Sequence, residues 1–402
     1  MNFSLMRRVD RYAGAVILLA LRPIIALSNM MRRSRMLDPE MTRTVLIEKF
    51  FGIGSIVNLT PTIDALRGHY PNAKIIFITF TEQRDFLNLT GIVDEVICIN
   101  AHDPLRFIVS TMTALFRLWR TGVDVCVDAE FFSKFSATVS SLSGARVRVG
   151  FFAYYNSRSP LLTHPVSFNH YVHISRSFLA LAETLGAPLP AETTSVTLPR
   201  LSGSYDTELK AVWPEIDDGP YALINCNISA LSIRRSWPMD RFAKLIRQLV
   251  ANHPDHRFVL IGAPSERPRV ETLLRMAGHC GDRVVNIAGR TSFGGLMKLI
   301  ERASLLITND SGPAHIAAGY GIPEVVLFGP ETPVLYRPLN SQAVSLYVPP
   351  YCSPCLSVLD NKRGETCNDI LCMAGISIES VCAAVDPILR RSMAAPTRAA
   401  IP

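Results

Sequence analysis

The chain has 402 residues, too many for one small domain and suited to two of ordinary size. Hydrophobic residues make up 48%, enough for sizeable cores, and a formal charge of +7 suits acidic membrane surfaces and phosphorylated substrates alike. Nucleic acid is set aside as a partner, since no dense basic block interleaved with aromatics is visible; nine cysteines, some inside strand-like runs (Cys98, Cys126, Cys226), argue for a reduced, cytoplasmic setting over a disulfide framework.

Residues 1–37 stand apart. Arg7, Arg8 and Arg11 precede an apolar run at 12–27 that Arg22 and Pro23 interrupt, and Arg32, Arg33 and Arg35 follow it. The run is shorter than the roughly 20 uninterrupted apolar residues of a membrane span, and no small-x-small cleavage site ends it. Two readings stay open: a basic-flanked helix lying in a membrane interface, or a helix packed on the protein's own body.

An N-terminal domain is expected over 38–187. Strand-like runs at 44–47, 74–79, 95–99, 123–127 and 146–150 alternate with helical patterns, one ending near Arg67 and others at 104–120, 133–143 and 169–185. Such alternation predicts a doubly wound, mostly parallel α/β sheet. Residues 188–219, rich in Pro, Ser and acids, read as the interdomain linker. The C-terminal domain, 220–375, repeats the pattern with strands at 221–225, 258–261, 284–287, 304–308 and 324–328, and helices at 240–252, 267–277, 293–302 and 314–320. Two Rossmann-like halves joined by a linker suggest a cleft between them. In the remaining segment, 376–402, a helical stretch at 376–391 is placed to cross back to the first domain, with a kink at Pro387 and a frayed tail from Ser392.

The densest chemistry lies at 309–332. Asp310, Ser311, a helix start at Gly312-Pro313 and His315 follow a buried strand, and open α/β sheets bind ligands at that end of a strand. Free helix N-terminal amides favour phosphate. Upstream, Asn227 and Ser229 end the strand at 221–225, and Arg234-Arg235 precede Trp237-Pro238; polar groups and cations there suit a diphosphate. Glu266 follows the strand at 258–261. In the first domain Gly52 and Gly54 permit close backbone approach after the first strand, and Asp128 and Glu130 follow the strand at 123–127. Cys352, Cys355, Cys367 and Cys372 are spaced for a structural zinc, with free thiols and disulfides as the alternatives.

The order Asp310-Ser311-Gly312-x-x-His315, ending in Phe328-Gly329-Pro330, resembles the signature of the family-nine glycosyltransferases, which contain the ADP-heptose:lipopolysaccharide heptosyltransferases. Gly54, Pro61, Ala65-Leu66-Arg67 and Tyr70-Pro71 match the family's first loop and helix, and Gly144-Ala145 to Gly150-Phe151 matches a further segment, with Arg148 at its arginine. The resemblance covers the chain from about Thr44 to the last helix. It implies the GT-B architecture, with the nucleotide-sugar donor bound mainly by the second domain and a glycolipid or polysaccharide acceptor by the first. It implies that Asp310, Ser311, Gly312 and His315 contact the sugar and diphosphate, with Arg235, Asn227 and Ser229 on the diphosphate or sugar and Glu266 on the ribose. The implied reaction is inverting, needs no catalytic metal, and runs at the cytoplasmic side of the inner membrane. At one position the chain departs: Ser55 stands where the family has the aspartate expected to act as general base. A serine hydroxyl cannot take a proton at neutral pH without a base of its own, so Glu130 or Asp128 becomes the candidate replacement, with Glu48 behind them. Other readings stay open: a catalytically impaired glycan-binding or assembly protein, a nucleotide-sugar epimerase and, least supported, a dinucleotide oxidoreductase, for which no Gly-x-Gly-x-x-Gly turn is present.

Overall fold

The computed structural model describes residues 3–31, 37–152, 158–228, 233–356, 367 and 369–394. The chain divides into two compact units, Met1–Thr193 and Thr194–Pro402. In each, short apolar runs are covered on both faces by helices, which is why the strands read as continuous hydrophobic stretches and not as alternating ones.

The first unit runs α1 (Phe3–Met31), β1 (Thr44–Glu48), α2 (Ile53–His69), β2 (Lys74–Phe80), α3 (Arg84–Thr90), β3 (Glu95–Ile99), α4 (Pro104–Thr121), β4 (Val125–Asp128), α5 (Lys134–Leu142), β5 (Val147–Phe152), β6 (His164–Ser167) and α6 (Ile174–Thr184). The strands pair in parallel in the order β3-β2-β1-β4-β5-β6. The order reverses between β1 and β4, where Glu48 pairs with Asp128. In open sheets the ligand crevice lies beyond the strand ends at such a reversal. The seven-residue α3 and the edge strand β6 were not anticipated. The β6 sequence, His-Pro-Val-Ser, carries one buried apolar residue and no periodic signal.

Helix α1 passes through Arg22 and Pro23 without a break. One face packs on the unit's own body: Leu18 and Ile25 are buried beside Ala137 and Leu161. Asp10 Oδ1 accepts from Phe135 N at 2.7 Å, and Lys134 Nζ donates to the Arg11 carbonyl at 2.8 Å. Tyr12, Val16, Ile17 and Leu19 remain exposed. Among the described residues no helix is long and apolar enough to cross a membrane.

The second unit runs α7 (Ser204–Val212), β7 (Tyr221–Asn225), α8 (Met239–Asn252), β8 (Arg257–Leu260), α9 (Arg267–Ala277), β9 (Val284–Asn286), α10 (Phe293–Arg302), β10 (Leu305–Asn309), α11 (Gly312–Gly319), β11 (Glu324–Phe328), α12 (Pro333–Tyr336), β12 (Ala343–Tyr347), α13 (Leu371–Ala374) and α14 (Ile378–Ala394). Its parallel sheet has the order β12-β11-β10-β7-β8-β9, reversing between β10 and β7, where Thr308 pairs with Asn225.

Two expectations change here. The segment read as linker, 188–219, contains the unit boundary, but its second half is folded: Leu209, Trp213 and Ile216 are buried. α7 presses on α10 so closely that a Cβ on Gly294 would come 2.4 Å from the Tyr205 ring. Polar composition hid the helix because its apolar face is only one residue wide per turn. The last helix packs into the second unit. Val381, Val385 and Leu389 of α14 belong to the second unit's core, Asp386 bonds His253 at 2.8 Å, and the helix continues through Pro387.

Candidate functional site

The second-unit site forms at the β7/β10 reversal. Asn225, the last residue of β7, donates from Nδ2 to Thr308 Oγ1 at 3.1 Å and to Ser311 Oγ at 3.2 Å. Ser311 is the N-cap residue of α11, but its hydroxyl is turned to Thr308 (2.9 Å) and leaves the helix's first amides without a side-chain cap. Asn309 anchors the facing loop: its Oδ1 accepts from Trp237 N at 2.9 Å, and its Nδ2 donates to the carbonyls of Cys226 and Asn227. Arg235 donates from Nη2 to the Asp310 carbonyl at 2.7 Å and makes an ion pair with the Asp310 carboxylate. Burial opposes the Arg235 charge, but Asp310 and Glu331 outweigh it and hold the guanidinium above its ordinary pKa. His315, one turn into α11, is buried; burial and the Arg235 charge bring it down to about 4 against the opposing pull of Asp310, so it is neutral at physiological pH.

A second cation adjoins this loop. Arg269, in the first turn of α9, donates from Nη2 to Ser236 Oγ at 2.7 Å. The Nε–H groups of both Arg235 and Arg269 are buried and have no acceptor among the described residues. Nearby, Glu266 Oε2 accepts from Ala263 N at 2.7 Å, closing its own turn, and burial raises its carboxyl above the usual value. A Cβ on Gly262 would lie 2.6 Å from Asn227 Nδ2 and 3.3 Å from Glu266 Oε2, so the glycine lets these two side chains converge.

The first-unit crevice is built on charge. Glu130 Oε1 accepts from Phe50 N at 2.6 Å and Phe51 N at 3.0 Å and pairs with Lys49 Nζ at 2.9 Å. Asp128 pairs with Arg158, accepts from Ser136 Oγ at 3.0 Å and from Glu130 N at 3.0 Å. Glu48 is wholly buried; burial first and the Asp128 charge second push its carboxyl well above the ordinary range. Its Oε1 accepts from Cys126 Sγ, and its buried Oε2 has no partner among the described residues. Gly52 caps α2 with φ at +85°, in the left-handed region that a side chain would strain. Gly54 is buried, and Ser55 lies half-buried in the first turn of α2.

Residues 120–364 match the family described as glycosyltransferase family 9 (heptosyltransferase). The chain belongs to that family. This family-nine glycosyltransferase is 25% identical to lipopolysaccharide heptosyltransferase 3 of Escherichia coli, over 74% of its own length and 86–87% of that protein's. It is 31% identical to lipooligosaccharide heptosyltransferase 2 of Haemophilus influenzae, but that match spans 27% of this chain and 31% of the relative. The solved structure of E. coli ADP-heptose lps heptosyltransferase II matches with a TM-score of 0.70 at 20% identity, covering 88% of this chain and 100% of that one. The likeness establishes the fold: two Rossmann-like domains of the GT-B class.

Of the residues singled out by sequence in this family-nine glycosyltransferase, the structure gathers Asn227, Arg235, Asp310, Ser311, Gly312 and His315 around the β7/β10 strand ends. Glu266 joins them through Asn227 and Gly262. Ser229 lies outside the described residues. Glu130, Asp128, Gly52 and Gly54 share the β1/β4 strand ends. Arg148 donates to the carbonyls of Leu161 and Ala145 and is buried, which makes it a strand brace. Cys352 and Cys355 are exposed, Cys367 is half-buried and Cys372 buried; among the described residues no three His, Cys, Asp or Glu are placed to hold a metal ion. Sequence reading gave no site role to Lys49, Arg158 or Arg269 and took Asn309 only as a possible helix cap.

Proposed function

We propose that this chain is an inverting glycosyltransferase that moves a sugar, heptose from an ADP-linked donor, onto a lipopolysaccharide or other surface-glycan acceptor at the cytoplasmic face of the inner membrane. The observation that carries the reading is the pair of half-buried arginines, Arg235 and Arg269, each with a buried Nε–H lacking an acceptor among the described residues, beside the uncapped start of α11. Buried donors of that kind call for anionic oxygens, and a diphosphate offers them in the right number. The names of the relatives supply the sugar and the acceptor class.

In the transfer, an acceptor hydroxyl oxygen bonds to the anomeric carbon as the bond to the diphosphate breaks, and the hydroxyl proton passes to a base. Negative charge growing on the leaving diphosphate is met by Arg235, Arg269 and the α11 amides, so the reading asks for no catalytic metal. Neutral His315 and Asp310 contact the sugar or diphosphate, Asn227 assists them, and Glu266 takes the ribose hydroxyls. For the base we propose Glu130, the least enclosed acid of the Glu48, Asp128 and Glu130 group. It would release Lys49 as it takes the proton. Ser55 orients the acceptor.

One observation favours a second reading, a binding protein of the same fold that does not turn over: Ser55 replaces the usual acid, and the neighbouring carboxylates are already engaged. Calorimetric titration with a panel of nucleotide sugars, followed by product analysis with lipopolysaccharide acceptors, separates the readings. ADP-heptose binding with a new glycosidic linkage is expected. Binding without a linkage leaves the second reading, an epimerised sugar without acceptor means an epimerase, and no binding by folded protein refutes the proposal. A structural zinc is proposed separately for Cys352, Cys355, Cys367 and Cys372 on their spacing alone, a Cys-x-x-Cys half-site followed by two further cysteines. Metal analysis of chelator-free protein should find one zinc per chain; none would refute it.

A further inference from the structure

Helix α4 carries an apolar stripe that the fold does not use. Its inner face is ordinary core, with Ala114, Leu115 and Leu118 buried against β3 and α5 residues. Its outer face presents Leu105, Ile108, Val109, Met112, Phe116 and Trp119, each between 53% and 71% exposed. The spacing is i, i+3, i+4, i+7, i+11 and i+14, one continuous line about 21 Å long on a helix rising about 1.5 Å per residue. Scattered single apolar residues are normal on a protein surface, but six large ones in a row mark an interaction site. The helix is not frayed: Asp103 caps it through Arg106 N at 2.9 Å, Pro104 starts it and Gly122 closes it.

The surroundings say what covers the stripe. Between α4 and the edge strand β3 runs a trough of about 580 Å3 with Val96 and Ile97 on its wall and Arg84, Arg106 and Arg117 along it. Arg120 extends the basic rim at the far end. Of the acids alongside, Asp103 pairs with Arg106 at 3.1 Å, Glu95 with Arg117 at 2.9 Å and Lys74 at 2.6 Å, and Asp85 adjoins Arg84. An apolar line edged by arginines with paired acids complements apolar chains under anionic headgroups. The layer is also continuous with α1. α4 meets α5 through the Phe107–Phe135 ring contact at 4.9 Å and the Trp119 indole, which donates to the Leu142 carbonyl; α1 meets the same α5 through Phe135 N and Lys134.

We propose that the α4 stripe docks the protein on an anionic phospholipid bilayer, with Leu105, Ile108, Met112 and Phe116 entering the headgroup boundary and Arg84, Arg106, Arg117 and Arg120 meeting lipid phosphates. This deepens the membrane part of the function proposed above and rests on it only for the acceptor's lipid character. The α4 contact is separate from α1 and adds a second anchoring element, as stable peripheral attachment requires.

The test is flotation of the full chain with vesicles of phosphatidylcholine alone or mixed with phosphatidylglycerol. Wild type should float with the mixed vesicles and not with the neutral ones. Ile108→Glu/Met112→Glu should lower the bound fraction at least tenfold with an unchanged melting curve, because both side chains already face water. Val16→Glu on α1, run in parallel, should give a smaller loss. Equal flotation of the α4 double variant, or no flotation of wild type, overturns the proposal. So does a wild-type dimer in sedimentation equilibrium that the double variant converts to monomer, since the stripe would then belong to a second copy. ADP titration of the same samples reads the donor site independently, so failure of either reading is visible without the other.

Discussion

Replacing Arg235 by glutamine removes one largely buried positive charge and leaves the side chain long enough to reach the Asp310 carbonyl. Arg235 and Asp310 side chains are 11% and 6% exposed. Breaking a buried ion pair from one side costs about 3–5 kcal/mol in general, because the remaining charge stays buried without its partner. The retained amide contact places this variant at the lower end, about 3 kcal/mol. For a unit of this size each kcal/mol moves the melting point by about 2–4 °C, so a fall of about 6–12 °C is expected. Binding should suffer as well. A charged hydrogen bond to phosphate is worth about 1.5–3 kcal/mol, which is a loss of about 10- to 150-fold in ADP affinity at about 1.4 kcal/mol per decade. Asp310→Asn/Arg235→Gln removes both charges, so it should recover most of the melting point without recovering ADP affinity. Differential scanning calorimetry and ADP titration on the three proteins give both readings. If Arg235→Gln melts lower yet binds ADP within twofold of wild type, the guanidinium is a brace for Asp310 and the diphosphate assignment is wrong.

Glu130→Gln keeps the shape that accepts from Phe50 N and Phe51 N but strands the Lys49 charge; product formation should fall by about 100-fold or more for a lost general base, with ADP affinity unchanged, and full turnover would remove Glu130 from the mechanism. Glu48→Gln should stabilise the protein at pH 7. The folded state holds this carboxyl above its unfolded pKa, so its contribution is present at low pH and is lost as pH rises past the unfolded value. The variant's gain should therefore vanish near pH 4 in paired thermal melts. His315 has the opposite dependence: its folded pKa of about 4 lies below the unfolded value near 6.5, so the unfolded chain takes the proton first and stability drains away between pH 6.5 and 4. The full effect is about 3 kcal/mol, and His315→Asn should flatten that part of the urea-midpoint profile; an unchanged slope would mean His315 is not buried neutral.

The sheets were legible because parallel strands covered on both faces must be apolar throughout, so β1, β2, β3, β7 and β11 announce themselves. β6 and β12 lie at sheet edges and are partly exposed, and their sequences carry no such run. The second-unit site was legible where its residues are neighbours in sequence, from Asp310 to His315, and where Trp237-Pro238 marks the position of Arg235. Arg269 escaped because its one site contact, Ser236, is 33 residues away. Lys49 and Arg158 escaped for the same reason. Nothing local says that Glu130 will bond amides 80 and 79 residues upstream, or that Asp128 will meet an arginine 30 residues on. Only pairing β1 beside β4 creates those contacts. Of the acids that sequence offers as free candidates, Glu130 in the fold holds the Lys49–Phe51 stretch, and Asp128 holds Arg158 and Ser136.

Trp237 ties the second-unit site to the end of the chain. Its backbone amide holds Asn309, while its indole donates to the Ile376 carbonyl at 3.0 Å, and Arg241 donates to the Ala374 carbonyl at 2.6 Å. This sets an order of maturation on the ribosome. The first unit is complete once residue 193 has emerged, whereas the loop around Arg235 cannot be fastened until Ala374 and Ile376, at and just beyond the end of α13, have been made. At about 5–20 residues per second, that interval lasts about 10–40 s. A nascent chain can thus finish one Rossmann-like half well before it can close the other, and a stop codon just upstream of α13 would yield a protein whose Arg235 loop is never fastened through Trp237 and Arg241.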